Sequence, residues 1–184
     1  DLCALWDFSK KNIPSRDMIE NALNNFNNPT INMRITLGAS AKGFIADKIG
    51  EHLRSVGINE ALIDLGGNIY TYGDSPTTSQ SIGIRNPFYN NDTTQPYQLM
   101  SADIRDVSIV TSGTYERYVE KDGVIYHHLL NPKTGYPFDN EIYSVTIIGP
   151  SSMYCDAIAT GIYGLGLEEG INKINEIEGY SAIF

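Results

Sequence analysis

The 184-residue chain predicts an α+β fold, with a mixed, largely antiparallel sheet and helices packed on it. Three observations lead there. Strand-like and helix-like segments are interleaved without the regular alternation of a doubly wound sheet. Asp122-Gly123, between two alternating segments, is a two-residue hairpin signal, and hairpins join antiparallel strands. Hydrophobic residues at 41% and charged residues at 19% describe a globular chain long enough for one domain with a sizeable core, or at most two small ones. With neither repeats nor a linker to divide it, residues 1–184 are expected to form a single domain.

The elements follow in chain order. DLCALWDFSKKN holds the only tryptophan, Trp6, and opens without a leading turn or cap, as the edge of a fragment does. Ser15 caps a predicted helix from Arg16 to Phe26, with Met18, Ile19, Leu23 and Phe26 on one face. After an Asn-rich loop comes a short strand over residues 31–35. TLGASAKGFIADKIGEHLRSVG is a small-residue turn running into an amphipathic helix with Ile45, Ile49, Leu53 and Val56 at helical spacing, stopped by Gly57.

Ala61 to Leu65 is a strand, Gly66-Gly67 a bulge or turn, and a second strand runs through Tyr72. A further strand covers residues 82–85, a polar insertion residues 86–98, and another strand Asp106 to Val110, ending in Thr111, Ser112 and Gly113. Tyr115 to Glu120 and Val124 to Leu129 flank the Asp-Gly turn. Tyr143 to Ile148 is a β-branched strand closed by Gly149-Pro150; Ser151 or Ser152 caps the helix MYCDAIATGIYGLG. A last helix spans residues 167–177, and a terminal strand residues 180–184.

Composition excludes some functions. No run approaches the ~18 apolar residues of a membrane span, and the N-terminus lacks a signal-peptide pattern. The net charge of −9 argues against nucleic acid as a partner, because no basic stretch offsets phosphate repulsion. A phosphate-bearing ligand would therefore need a metal ion, a few placed cations or helix N-termini to hold it. Cys3 and Cys155 are too few and too distant in sequence to mark a disulfide framework or a zinc site.

Four segments can carry chemistry. His127 and His128 end a strand-like run and enter the turn of HHLLNPKTGYP; a site loop delivering an imidazole and a solvated hairpin tip both fit this stretch. The turn LGASAKG lets backbone approach a ligand at a helix N-terminus, yet equally reads as a plain strand-to-helix turn; it is not a phosphate-binding Walker loop, since Lys42 precedes Gly43 and Phe44 follows it. Ser112 to Arg117, SGTYER, offers a hydroxyl, an aromatic ring and a cation for an anionic or aromatic ligand, or a hairpin with a Glu116–Arg117 surface pair. Asp156 and Thr160, four apart on a helix, present oxygens on one face; that set suits Mg²⁺, and it also suits a surface face with a local hydrogen bond.

Together, LGASAKGFIADK, LIDLGGNIY, TSGTYERY and HHLLNPKTGYP followed by the DAIAT helix occur in the order seen in the ApbE-type FAD:protein FMN transferases, which this chain resembles from about Thr36 to Leu165. LWDF is similar to the family's Leu-Trp segment. The resemblance implies a reaction in which FAD is cut at its pyrophosphate with Mg²⁺, FMN is joined to a threonine hydroxyl of a target protein, and AMP is released. It implies Mg²⁺ on Asp156, Thr160 and the Ala39 carbonyl, and His128 as the base for the threonine. It also implies FAD contacts from Thr36, Lys42, Leu130 and the segment containing Ser112, Gly113, Tyr115 and Arg117. Alternatives within the resemblance are an FAD pyrophosphatase and a flavin-binding protein without turnover.

The chain departs from the family where Thr36 stands in place of Asp and Asn131 in place of the Asp of Asp-Pro. Both changes reduce negative charge near the ligand. The family's N-terminal part is expected to be missing before Asp1, so a second chain or segment would complete the site. Members mostly act outside the bacterial cytoplasm, which sets an extracytoplasmic expectation. His127 is expected to be a solvated bystander.

Overall fold

The structure, a computed structural model, describes residues 5–27, 36–73, 79–89 and 94–184, with the side chains of residues 26 and 27 excepted. The strand expected over residues 31–35 and the Phe26 side chain lie outside the described residues. Among these residues run, in chain order, α1 (Arg16–Asn27), α2 (Ala41–Ser55), β1 (Glu60–Asp64), β2 (Asn68–Gly73), β3 (Gln80–Arg85), β4 (Gln98–Ile104), β5 (Ser108–Gly113), β6 (Tyr118–Lys121), β7 (Val124–His127), β8 (Ser144–Gly149), α3 (Ser152–Leu165), α4 (Leu167–Asn175) and β9 (Ser181–Ile183). Every described strand pairing is antiparallel, so the α+β class holds. The packing divides the chain into two compact units, Asp1–Thr36 with Thr114–Glu141, and Leu37–Gly113 with Ile142–Phe184.

The larger unit is built on a five-stranded sheet in the order β1-β2-β5-β8-β9. Because side chains alternate along a strand, the register sorts two cores. Ile63, Tyr70 and Tyr72 point to one face and pack with Ala46, Ile49 and Leu53 of α2. Ile69, Ile109, Ile148 and Ile183 point to the other, where Ile84 and Ile104 of the β3–β4 hairpin cover them. The sheet is thus enclosed by helix on one side and hairpin on the other.

Helix α2 departs from expectation. Ile45 and Val56, read as its core stripe, are 48% and 60% exposed, whereas Gly43, Ala46 and Gly50 are buried. The reason is distance. A Cβ on Gly43 would lie 2.6 Å from Met153 Cα, and one on Gly50 would lie 2.6 Å from Tyr70 Cε1, so this face admits only small residues. The buried stripe, against Met153 of α3 at Gly43 and against Tyr70 of β2 at Gly50, is chosen by fit, not by hydrophobicity.

Strand β4 is another difference. Its residues are mostly exposed, which leaves no alternation to read, and it becomes a strand by pairing with β3 from Gln80↔Ile104 onward. Asp106, expected to begin the next strand, instead takes φ 53° in the turn before β5. Strand β5 then runs on to Gly113 because its pairing with β8 continues to Gly113↔Ser144.

The smaller unit holds α1 and the β6–β7 hairpin. Ser15 Oγ accepts from Met18 N at 3.3 Å, the expected cap, and Ile19 is buried; Met18 is 44% exposed, so the apolar face is narrower than its spacing suggests. Asp122 and Gly123 take φ 53° and 76°, the two positive values that a tight hairpin turn of this type requires.

Candidate functional site

In the smaller unit the residues after β7 form a rigid loop organised by two side chains. Asn131 accepts Lys133 N on its Oδ1 at 2.9 Å, while its carbonyl accepts Gly135 N at 2.8 Å. An aspartate at this position would present the same side-chain acceptor. Trp6, 2% exposed, donates its indole N–H to the Gly135 carbonyl at 2.9 Å and contacts Tyr126 and Tyr136 through ring faces and edges. LWDF is therefore the clamp on the loop.

The two histidines diverge because strand alternation turns them to opposite sides. His127 is buried, not solvated as the sequence suggests. Its Nδ1 accepts Leu129 N at 3.3 Å, which leaves the proton on Nε2, and Nε2 donates to the Phe138 carbonyl at 3.0 Å. Burial lowers its pKa below 6.5, outweighing the Phe138 carbonyl, and the neighbouring His128 lowers it further. The neutral ring is a structural brace.

His128 is half-buried and lies edge-on to Phe8, with ring centroids 6.5 Å apart. Its Nδ1 stands 3.2 Å from the Arg117 carbonyl oxygen, which can only accept, so Nδ1 carries the proton. In the neutral ring the lone pair is then on Nε2, the arrangement a general base needs. A cavity of about 770 Å³ is lined by His128, Arg117 and Leu130 together with Trp6, Phe8 and Glu116. Three of the expected residues thus share one space, joined by aromatic and acidic groups that sequence reasoning did not assign. Tyr115 is half-buried and does not line this cavity, and Thr36 is exposed.

The larger unit assembles the remaining residues around the first turns of α2 and α3. Gly43 N–H donates to Asp156 Oδ2 at 2.9 Å, across 113 residues of chain. In return Asp47 of α2 accepts Ser152 N at 2.8 Å, Met153 N at 3.0 Å and Ser151 Oγ at 3.0 Å, so a carboxylate of one helix caps the other. The negative charge sits at the positive end of α3. The expected cap, Ser151, also accepts Tyr154 N at 3.2 Å.

Asp156 is 6% exposed. Burial raises its pKa; the Gly43 N–H, the Lys42 charge and the Asn68 amide oppose that rise. Thr160, one turn on, lies 3.3 Å from Ser112 Oγ of β5, and Gly113 is the buried end of the same strand. Lys42 reaches from α2 to donate to the Gly66 carbonyl at 3.4 Å, in a turn where Asp64 Oδ1 accepts from Gly66 N and Gly67 N and both glycines have positive φ. Ala39 lies in the exposed turn that leads into α2.

Asn68 and Asp47 are the residues that sequence reasoning missed here. Asn68 is fully buried; its Oδ1 accepts Ser152 Oγ at 2.7 Å, and its Nδ2 has no hydrogen-bond partner among the described residues. Such a donor costs about 1–3 kcal/mol if nothing meets it. Among the described residues no group of three or more His, Cys, Asp or Glu could hold a metal. The carboxylate and hydroxyl of Asp156 and Thr160, one turn apart on α3, are nevertheless of the chemistry that suits Mg²⁺, which takes one or two carboxylates and completes its shell with water and phosphate oxygens.

A model of the ApbE family matches residues 1–184. A Klebsiella pneumoniae (strain 342) protein named FAD:protein FMN transferase is 43% identical over 152 residues, covering 83% of this chain and 45% of that protein. A Treponema pallidum (strain Nichols) protein of the same name is 42% identical over 161 residues, 83% of this chain and 43% of its own length. The crystal structure of the ApbE protein of Thermotoga maritima is similar with a TM-score of 0.83 at 28% identity, covering 98% of this chain and 63% of that one. The chain spans less than half the length of the two curated relatives.

Proposed function

The chain belongs to the ApbE family, and from that premise we propose that it is an FAD:protein FMN transferase, acting with Mg²⁺ and releasing AMP. The observation that carries the reading is the state of His128: half-buried on a cavity with Arg117 and Leu130, with Nδ1–H on the Arg117 carbonyl at 3.2 Å. In this reading the hydroxyl oxygen of a target threonine attacks the phosphorus of the FMN half. The bond to the AMP oxygen breaks, and the threonine proton passes to His128 Nε2. Fixing the tautomer through a backbone carbonyl means that the orientation of the base does not depend on a carboxylate at Nδ1.

Asp156, Thr160 and the Ala39 carbonyl would hold Mg²⁺, which supplies charge neutralisation at the pyrophosphate and its leaving AMP. What supports that assignment is a buried carboxylate whose ionisation burial still opposes, despite the Gly43 N–H, the Lys42 charge and the Asn68 amide. Lys42, held at the Gly66 carbonyl, brings a cation to the same region, in a chain whose overall charge of −9 would otherwise repel FAD. Leu130, Arg117 and Tyr115, with Ser112, Gly113 and Thr36, are proposed FAD contacts. Thr36 would contribute a hydroxyl without the charge of the family's Asp.

Incubation with FAD, Mg²⁺ and a peptide carrying an acceptor threonine tests the reading by mass spectrometry. FMN on the peptide is the expected result. Free FMN with AMP would make the chain a pyrophosphatase, and intact bound FAD would make it a binding protein. Because the chain spans only part of its relatives, the same incubation with the remaining segment of a relative added in trans tests whether the site is completed by another chain.

A further inference from the structure

We infer that Asn68 is a positioning residue that orients the Asp156 carboxylate toward its cation, an inference that rests on the metal reading of Asp156 given above. Nothing in β2 itself calls for an amide at its first, fully buried position, where a β-branched residue would satisfy the strand. Its two prongs have different fates. Oδ1 is pinned by Ser152 Oγ at 2.7 Å, while Nδ2 has no partner among the described residues. Folded proteins seldom leave a buried donor in that condition unless the site uses it.

Ser152 and Asp156 are four apart on α3 and therefore share a face, and both are buried. Ser152 holds one prong of the planar amide, and Asp156 lies one turn further along the same face of α3. Asp156 Oδ2 is already fixed by the Gly43 N–H at 2.9 Å. Nδ2, without a partner in the metal-free chain, would on cation binding donate to that carboxylate and set its plane, so that its remaining lone pair has one direction in which to take a hard cation. Ligating carboxylates are commonly held by such outer partners, and losing one weakens metal affinity by about 10–100-fold.

The test is titration of the full chain with Mg²⁺ alone by calorimetry, in the parent, Asn68→Leu, Ser152→Ala and Asp156→Asn. Asn68→Leu removes both prongs at nearly constant volume; Ser152→Ala removes only the bond to Oδ1. The expected result is a loss of about 10–100-fold in Asn68→Leu and a far smaller change in Ser152→Ala. Parental affinity in Asn68→Leu, or equal losses in both variants, overturns the inference and leaves the metal reading standing. Mg²⁺ binding that persists in Asp156→Asn, or is absent in the parent, overturns the metal reading and this inference with it. A readout independent of any core variant is the Asn68 side-chain amide resonance of the parent. It is expected to shift on Mg²⁺ addition with the calorimetric midpoint, and a resonance that stays fixed through saturation also overturns the inference.

Discussion

Replacing Gly43 by alanine probes the closest approach of α2 to α3. In a helix interior, Gly→Ala ordinarily stabilises by about 0.8–1 kcal/mol. At Gly43 the added Cβ would sit 2.6 Å from Met153 Cα, and nearer still to the Ser152 carbonyl oxygen. Carbon atoms pack at about 3.5–4.0 Å, so the helices must part by about 1 Å. The obstructing atoms are backbone and cannot rotate aside. Overpacking of this kind costs about 1–3 kcal/mol. The same displacement stretches the Gly43–Asp156 bond and the three bonds to Asp47, and hydrogen bonds to charged groups are worth about 1.5–3 kcal/mol each. Offset by the propensity gain, a net loss of about 1–3 kcal/mol is expected. For a chain of this size that lowers Tm by about 2–4 °C per kcal/mol. Gly161 is the matched control: it lies inside α3 with nothing within 4 Å of an added Cβ. Gly161→Ala should therefore raise stability by up to about 1 kcal/mol. Thermal unfolding followed by circular dichroism compares the two. If Gly43→Ala melts with or above the parent while Gly161→Ala gains, the close contact of α2 and α3 is refuted.

Three other outcomes follow from the site. Burial holds Asp156 above the usual 3.8, so its ionisation costs the metal-free fold stability. That cost is absent below this pH and grows as pH rises through the folded value. Asp156→Asn, whose amide oxygen still accepts from Gly43, should melt higher than the parent at neutral pH without Mg²⁺ and lose Mg²⁺-dependent turnover; unchanged turnover would sink the metal assignment. His128→Ala should slow FMN transfer by about 10²–10⁴-fold with the fold intact, and transfer at the parental rate across the neutral range would rule out the base. His127→Phe strips partners from Leu129 N and the Phe138 carbonyl and should cost about 1–3 kcal/mol. Because His127 must stay neutral, parental stability should fall as pH drops below 6.5 toward its lower folded value, and the variant should lack that share of the slope. Urea unfolding at acidic and neutral pH measures it, and identical slopes would contradict the brace.

Much of the architecture is local chemistry and can be read along the chain. The hairpin at Asp122-Gly123 follows from two residues that tolerate positive φ, and the caps at Ser15 and Ser151 from short hydroxyl side chains ahead of apolar periodicity. The candidate site is legible as ordered motifs, since the residue types that could bind phosphate, metal or a proton sit inside short recognisable segments. Strand β4 is not legible, because an exposed strand has no alternation and exists through its pairing with β3.

The sequence by itself determined the α+β class and the positions of most elements, because each depends on neighbours within a few positions. Only the tertiary structure decided which face of α2 is buried, which histidine is a brace, and what holds Asp156. Those answers depend on close approach between distant segments: Gly43 against Ser152 and Met153, His127 beneath Phe138, Asp47 capping α3 and Asn68 against Ser152. The fit of backbone against backbone, and the pairing of a buried polar atom, are settled by distances that no local pattern encodes.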